Sequence, residues 1–492
     1  MKLGKAIQYM FAERAAGIRS SLDPDAMEVE AFAIDSRQVK EGSIFFALSQ
    51  PEYSNHGFNG EFADATRFVP DAFARGALAA VVRYDRLEEH HALLEPYLKR
   101  LLLVDDVIGS IHRLAQSVFL DWDKPVAAIT GSAGKTTAKE LAAHILTFDG
   151  RRVLKNEKNY NNGLGHPLTV LKLVADSNFD LAVLEMAMST PMHEIARLCE
   201  ITPPDVAAVL NVLPVHIEHL GSIDAIRAAK AEIIQGMKPG GAAVLNADDP
   251  RVASMRELSR GETITFGVKH RAEIMARDIE FAGFGRTRFQ LMIPGSSANV
   301  EFPLNGIHNV MNALAAAAIG HCFGISAQVI ARALATAEPP PQRGEVVCFK
   351  AGFTVINDSY NSHPDALLSM VKTLIDGSPR ARRHIVVAGE MLELGPDSPK
   401  VHFDTGRSLA ETGIDVLIAV RGDAEHLAAG ARCIGKTEVI FASDSDAAGP
   451  ILSSIVREGD AVLIKGSRGV RCEKILEYLV ERFETDLQQR AE

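Results

Sequence analysis

The sequence predicts an α/β chain of three domains: a small α/β N-terminal domain, a central domain on a parallel sheet, and a C-terminal Rossmann-like, doubly wound domain. Three observations carry this expectation. At roughly 150 residues per domain, 492 residues make about three. Short β-rich apolar runs alternate with helical patterns, as parallel strands covered on both faces do. One connector stands out, EPPPQRG at Glu338–Gly344, where three prolines stop a helix and favour an extended link.

Residues 1–122 form the first domain, in which Gly42–Leu48, Gly76–Val82 and Arg100–Asp106 read as strands. Ser49–Phe62 is polar and rich in Gly and Asn, and reads as a long surface loop. Residues 123–341 form the second. Its buried-strand candidates are VAAIT after Pro125, then Asp180–Ala187, Pro204–Val212 and Gly240–Asp248, with a helix over Ser222–Met237. After Gly261 the runs ETITFGV and TRFQLMI alternate and read as antiparallel strands, and Asn312–Gly320 reads as a buried helix. Residues 342–492 form the third, with TVINDSY, HIVVAGEM, VLIAV, TEVIFA and AVLIKGS as strands.

The net charge of -11 argues against a protein held to nucleic acid or an anionic membrane by its overall charge. Five scattered cysteines with no CxxC disfavour a disulfide framework or a zinc cluster and fit a reducing compartment. The N-terminal apolar run is too short for a signal-peptide core. No stretch nears the roughly 18 apolar residues of a membrane helix. The expectation is a cytoplasmic chain with no nucleic-acid partner and no membrane insertion.

AITGSAGKTTAKEL, Ala128–Leu141, is the strongest local signal: a β-rich run, a glycine loop and a helical pattern. Such a loop points backbone N–H groups and a helix dipole at phosphate. Gly131, Ser132, Ala133, Gly134, Lys135, Thr136 and Thr137 make it up, Lys135 supplying a charge and Thr136 a hydroxyl for Mg²⁺. Gly131 and Gly134 replace the glycine spacing of the strict pattern. Glu185 ends one apolar strand, and His216 and His219 follow another, so both stand with the glycine loop at strand carboxyl ends, where ligands bind in open α/β sheets. Bland alternatives stay open: a helix-capping Glu185, and a solvated Lys230 paired with a neighbouring acid. NDSYNSHPDAL, GEMLELG and KGSRGV could likewise be turn chemistry alone.

Taken in order, these motifs resemble the Mur ligase family, ATP-dependent amide ligases of bacterial peptidoglycan precursors. TGSAGKTT, NYNNGLGHPLTVL (Asn159–Leu171), NVLPVHIEHLGS with AAKAEI, GIHNVMNALAA (Gly306–Ala316), Arg343 after the prolines, NDSYNSHPDAL, GEMLELG with His402 downstream, and KGSRG carry the resemblance. FAIDSRQVKEGSIFFAL extends it to the N-terminal domain. Three spellings depart from the family pattern: Ser362-His363 in NSHP, His193 before Glu194-Ile195 where relatives have glycine, and SNHGF in place of DGH.

The resemblance implies a UDP-sugar-binding first domain, an ATP-binding second and a ligase third. It implies that D-alanyl-D-alanine is joined to the terminal carboxylate of UDP-N-acetylmuramoyl-tripeptide through an acyl phosphate, by a monomer. Lys135, Lys230 and His216 would be catalytic. Asn309, Asn312, Arg343 and Asp358 would join the glycine loop around ATP. Thr136, Glu185, His216 and a carbamylated Lys230 would hold two Mg²⁺ ions. Asp35, Ser36, Arg37, Asn161, Asn162, Tyr360, Asn361 and Lys465 would contact the substrates. A ligase adding the third stem residue, a folylpolyglutamate-synthase-like ligase and a P-loop kinase are the alternatives. The string Asp248-Asp249-Pro250-Arg251 lies in the central domain, so it is not equivalent to the last-domain DNPR of the third-residue ligase.

Overall fold

The computed structural model describes residues 1–15, 23–58, 60–188, 192–214 and 221–486. Its strands gather into sheets of five, nine and six. In the first, Ala31–Ala33, Ser43–Phe46, Ala79–Arg83 and Leu101–Val104 are parallel, and Glu13–Arg14 pairs antiparallel with the last. Ser43–Phe46 and Leu101–Val104 are buried throughout, because helices or neighbouring segments cover both faces.

In the second sheet Val126–Thr130 lies between Leu181–Glu185 and Val206–Val209, parallel to both. Ile129 faces Glu185 across the ladder and Thr130 faces Val209, so the glycine loop and Glu185 emerge at one crest. Thr287–Ile293 and Ser296–Phe302 form the antiparallel end. Thr263–Gly267 corrects the reading of ETITFGV: it runs parallel to both Ala242–Asn246 and Ile274–Phe281. Its alternation records that helix Ile307–Cys322 covers only one face, and coverage does not fix strand direction. In the third sheet Thr354–Asp358, Asp460–Lys465, Arg383–Gly389, Val416–Val420 and Glu438–Ala442 are parallel, with Glu345–Cys348 antiparallel at one edge.

Helix Val107–Trp122 joins the first two units. Asp106 caps it, its Oδ1 accepting the Gly109 amide at 2.9 Å. Ile108, Ile111, Ala115 and Val118 recur at helical spacing and are buried. They sit in one apolar cluster that runs from Leu3 and Phe46 to Leu164, Leu184 and Ile201 of the central unit. At roughly 1.5–3 kcal/mol per large buried side chain, this cluster fixes the N-terminal unit on the central sheet. The C-terminal sheet has separate clusters on its two faces.

Ser49–Phe62 also differs from its reading as a plain loop. Gln50–Asn55 is helical, with proline in its first turn, and Glu52 is only 2% exposed. The Glu52 carboxylate accepts the Val107 and Ile108 amides at the start of the long helix. Burial first, and then its hydrogen bond with Asp106, push the Glu52 carboxyl up to about 7 from an ordinary 4.5. The native state therefore holds this proton more tightly than the unfolded chain. Stability is lost as pH rises from about 4.5 to about 7 and is level above. Glu52→Gln keeps an acceptor for the amides and removes the ionisation. It is expected to raise the melting temperature at pH 8 relative to the parent and to leave it unchanged at pH 4; thermal melts at the two values check this, and a lower melting temperature at pH 8 contradicts it.

Candidate active site

A cavity of about 530 Å³ opens where the crest of the central sheet faces the C-terminal unit. One wall is Ser132–Thr137 with Asn161 and Glu185; the other includes Arg343, Asp358, Tyr360, Asn361 and Lys465. Asn309 and Asn312 line it as well, so the structure brings most of the sequence candidates together.

Gly134, at φ +85°, turns the chain into helix Lys135–Phe148, and a Cβ there would collide with Asn312 Oδ1. The first amides of that helix have no intrahelical acceptor and face the cavity with the positive end of the dipole. Strain of about 1–2 kcal/mol from a side chain in left-handed backbone corresponds to roughly tenfold in affinity. Gly134→Ala is thus expected to weaken ADP binding by at least about that factor, as titration calorimetry would show; unaltered affinity would contradict the close packing.

Asn211, which sequence reasoning missed, clamps the loop tip. Its Oδ1 accepts the Ala133 amide at 2.8 Å and its Nδ2 donates to the Ala133 carbonyl at 3.0 Å. Its place just past strand Val206–Val209, beside the glycine loop in an open sheet, is the signal that would have marked it. Lys135 curls over the loop, Nζ donating to the Gly131 carbonyl at 2.9 Å. Burial first, opposed by Glu185 and assisted by Arg343, holds the Lys135 ammonium below its ordinary value. An anion in the cavity would favour its charged form.

Glu185 is 2% exposed and is not a helix cap. Its Oε2 accepts from Thr136 Oγ1 at 2.8 Å and its Oε1 from Asn161 Nδ2 at 2.7 Å. Asn156 grips its backbone from both sides, at 2.8 and 3.0 Å. A hydroxyl touching a carboxylate oxygen is a donor set suited to a hard cation. Lys230, on helix Ile223–Gln235, is 2% exposed and has no carboxylate partner among the described residues, so the solvated reading fails. Burial, then Lys135, hold its ammonium well below the usual lysine value. His216, with His219, lies outside the described residues.

On the facing wall Lys465 is paired with Asp358, its neighbour across the ladder, and donates to the Asn361 carbonyl at 2.8 Å. Arg343 stacks on Tyr360 with 4.0 Å between guanidinium and ring. Arg468 reaches the same ring at 5.7 Å and donates to Gln342 Oε1 at 2.9 Å. His308 is a second missed residue lining the cavity; burial holds its imidazole down to about 4.

Of the other residues singled out in the sequence, His363 lines this cavity and the others described below fall outside it. Asp35 and Ser36 stand in the N-terminal unit, where the exposed Arg37 folds back onto Asp35 at 2.7 Å. Asn162 shapes the loop instead, its Oδ1 accepting the Leu164 and Gly165 amides at 3.2 and 2.9 Å. His193 adopts φ 53°, the left-handed backbone that favours glycine, and its Nδ1 meets Glu232 Oε1 at 2.7 Å. His363 caps helix Pro364–Gly377, Nδ1 accepting the Ala366 amide at 3.4 Å. Asp248 and Asp249 of the DDPR string are occupied by backbone amides, including His270 and Val212.

Comparison with known proteins agrees with this arrangement. Residues 129–320 match the Mur ligase middle domain, and residues 342–468 match the Mur ligase, glutamate ligase domain. The chain is 30% identical over 475 residues to UDP-N-acetylmuramoyl-tripeptide–D-alanyl-D-alanine ligase of Bacillus subtilis, covering 96% of this chain and 97% of that one. Among solved structures it is similar to MurF from Acinetobacter baumannii, with a TM-score of 0.83, 28% identity and coverage of 98% and 99%. It is also similar to MurF ligase from Thermotoga maritima in complex with ADP, with a TM-score of 0.77, 28% identity and coverage of 94% and 99%. Near-complete coverage, two matching domains and TM-scores of 0.83 and 0.77 to solved structures lead to one conclusion: this chain belongs to the Mur ligase family.

Proposed function

We propose that this chain joins D-alanyl-D-alanine to the terminal carboxylate of UDP-N-acetylmuramoyl-tripeptide, with ATP cleaved to ADP and phosphate, in cytoplasmic assembly of peptidoglycan precursors. The observation that carries the reading is the Lys135–Thr136–Glu185 crest facing the Asp358–Lys465 wall across one cavity, in a chain that matches such ligases over nearly its whole length. The ADP named with the Thermotoga relative supports the nucleotide assignment. Among the described residues no helix is long and apolar enough to cross a membrane. The working unit is a monomer with domains 1–122, 123–341 and 342–492.

Gly131–Thr137 and Lys135 Nζ hold the β- and γ-phosphates, Asn309 and Asn312 face the adenine side, and Arg343 and Asp358 the ribose and phosphates. Thr136 and Glu185, with His216 and a carbamylated Lys230, would hold two Mg²⁺ ions; the hydroxyl–carboxylate pair fits the first. When bound, Mg²⁺ supplies positive charge next to the phosphates. The buried Lys230, held below its ordinary pKa, is the kind of free amine that adds CO₂. Asp35, Ser36 and Arg37 hold the UDP end. Asn161, Tyr360, Asn361 and Lys465 contact the reacting end, and Asn162 acts on the loop.

The tripeptide carboxylate oxygen attacks the γ-phosphorus while the bond to the β–γ bridging oxygen breaks, releasing ADP. The amine nitrogen of the dipeptide then attacks the acyl carbon, loses a proton, and phosphate departs. Two anions meet in the first step, so cations and backbone dipoles matter more than acid–base groups. Because the cavity walls come from two units, their closure also keeps water from the acyl phosphate. Phosphate release from ATP, measured with both substrates and with each alone, tests the assignment. Turnover requiring both supports it; turnover with neither, or with glutamate acceptors, rejects it.

A further inference from the structure

We propose that His112 is a positioning residue for the nucleotide site: it fixes the loop around Gly163 and thereby the Asn161 amide that holds Glu185. This rests on the nucleotide reading of the Thr136–Glu185 crest.

His112 lies on helix Val107–Trp122, outside the residues matched by either family domain. Its Nε2 stands 2.6 Å from the Gly163 carbonyl. A carbonyl only accepts, so Nε2 carries the hydrogen. Burial first, outweighing this hydrogen bond, holds the imidazole down to about 4, so the ring is a neutral donor near pH 7. Two residues before Gly163, Asn161 Nδ2 donates to Glu185 Oε1 at 2.7 Å, and the Asn161 carbonyl accepts the Ala187 amide at 2.9 Å. The loop thus hangs between the Glu185 strand on one side and His112 on the other.

The N-terminal unit closes on the same glycine. A Cβ on Gly163 would lie 2.9 Å from the Phe58 ring and 3.8 Å from His112 Nε2. The His56 ring meets the His112 ring edge-on at 6.2 Å between centroids, and His56 Nε2 contacts Asp106 at 3.0 Å. Phe58 and His56 belong to SNHGF, the string that departs from the family spelling. A histidine that only filled core space would need no carbonyl partner, and Leu would replace it. A residue that orients a ligand through a hydrogen bond acts through its N–H, and outer-sphere partners of this kind typically change metal affinity by roughly 10–100-fold when removed.

The test compares His112→Leu, His112→Gln and Asn161→Ala. ADP affinity is read by calorimetry with Mg²⁺ and with EDTA, alongside hydrogen exchange of the amides of residues 160–166. His112→Leu is expected to weaken ADP binding roughly tenfold or more with Mg²⁺, to leave it unaltered in EDTA, and to speed exchange across the loop. His112→Gln, which keeps an N–H donor, behaves as wild type. Asn161→Ala reproduces the Mg²⁺ effect, and the double variant is no weaker than Asn161→Ala alone. If Asn161→Ala loses Mg²⁺-dependent affinity while folded His112→Leu keeps both affinity and slow exchange, the role of His112 is overturned and the site reading stands. If Asn161→Ala also keeps its affinity, the site reading itself fails. Should His112→Leu not fold, ¹⁵N-histidine NMR of the wild type decides: an Nε2–H resonance that shifts when Mg²⁺ joins ADP supports the role, and a ring protonated on Nδ1 or blind to Mg²⁺ removes it.

Discussion

Lys135→Ala is expected to slow ligation by roughly 10²–10³-fold, the cost of removing one preorganised donor from developing negative charge. Lys135 is half-buried, among the described residues its Nζ donates only to backbone carbonyls of its own loop, and desolvation disfavours its ammonium. Free of nucleotide, the variant breaks no hydrogen bond to a carboxylate and sheds a charge whose desolvation outweighs the attraction of Glu185, so it is expected to melt no lower than the parent. With ADP the parent gains stability in proportion to its affinity, and Lys135→Ala loses most of that gain. Steady-state rates and thermal melts with and without ADP test both halves. An undiminished rate in the folded variant would contradict the role given to this lysine.

Glu185→Ala is expected to lower activity by roughly 10³-fold, if its carboxylate supports several kcal/mol of metal-derived charge stabilisation. It also strips two groups of their acceptor, Thr136 Oγ1 at 2.8 Å and Asn161 Nδ2 at 2.7 Å. Both groups are only part-buried, so leaving them unsatisfied costs no more than the lower end of about 1–3 kcal/mol each, and this variant, unlike Lys135→Ala, is expected to melt slightly lower. The two also separate by metal response. Raising Mg²⁺ recovers part of the Glu185→Ala rate and none of the Lys135→Ala rate. Assays across Mg²⁺ concentrations check the contrast, and equal responses would place Glu185 outside the metal site.

The parts of this site that were legible in the sequence share one property: their position is fixed by the strand they end. The glycine loop after Val126–Thr130 and Glu185 at the end of Leu181–Glu185 follow from apolar runs of parallel-strand length. Lys230 was less legible because helical spacing does not report which face is covered, and only the packed structure shows it 2% exposed. His308 and His112 were not legible, and Asn211 was marked only by its place just past strand Val206–Val209. Asn211 and His112 act on backbone atoms 78 and 51 residues away, and crossover connections create those contacts without leaving a local pattern. Strand direction at Thr263–Gly267 failed for a related reason, since alternation records coverage and is silent on pairing. His193 shows the converse: the family's glycine marks a left-handed turn, and here the Glu232 contact accompanies the histidine that occupies it.

The central claim is that the crest brings the tripeptide carboxylate onto the γ-phosphorus of ATP. Ligation with the terminal carboxylate of UDP-N-acetylmuramoyl-tripeptide labelled in ¹⁸O tests it most directly. Attack by that oxygen predicts one ¹⁸O atom in the phosphate released for each peptide bond made; phosphate free of label, alongside normal product formation, would contradict the account.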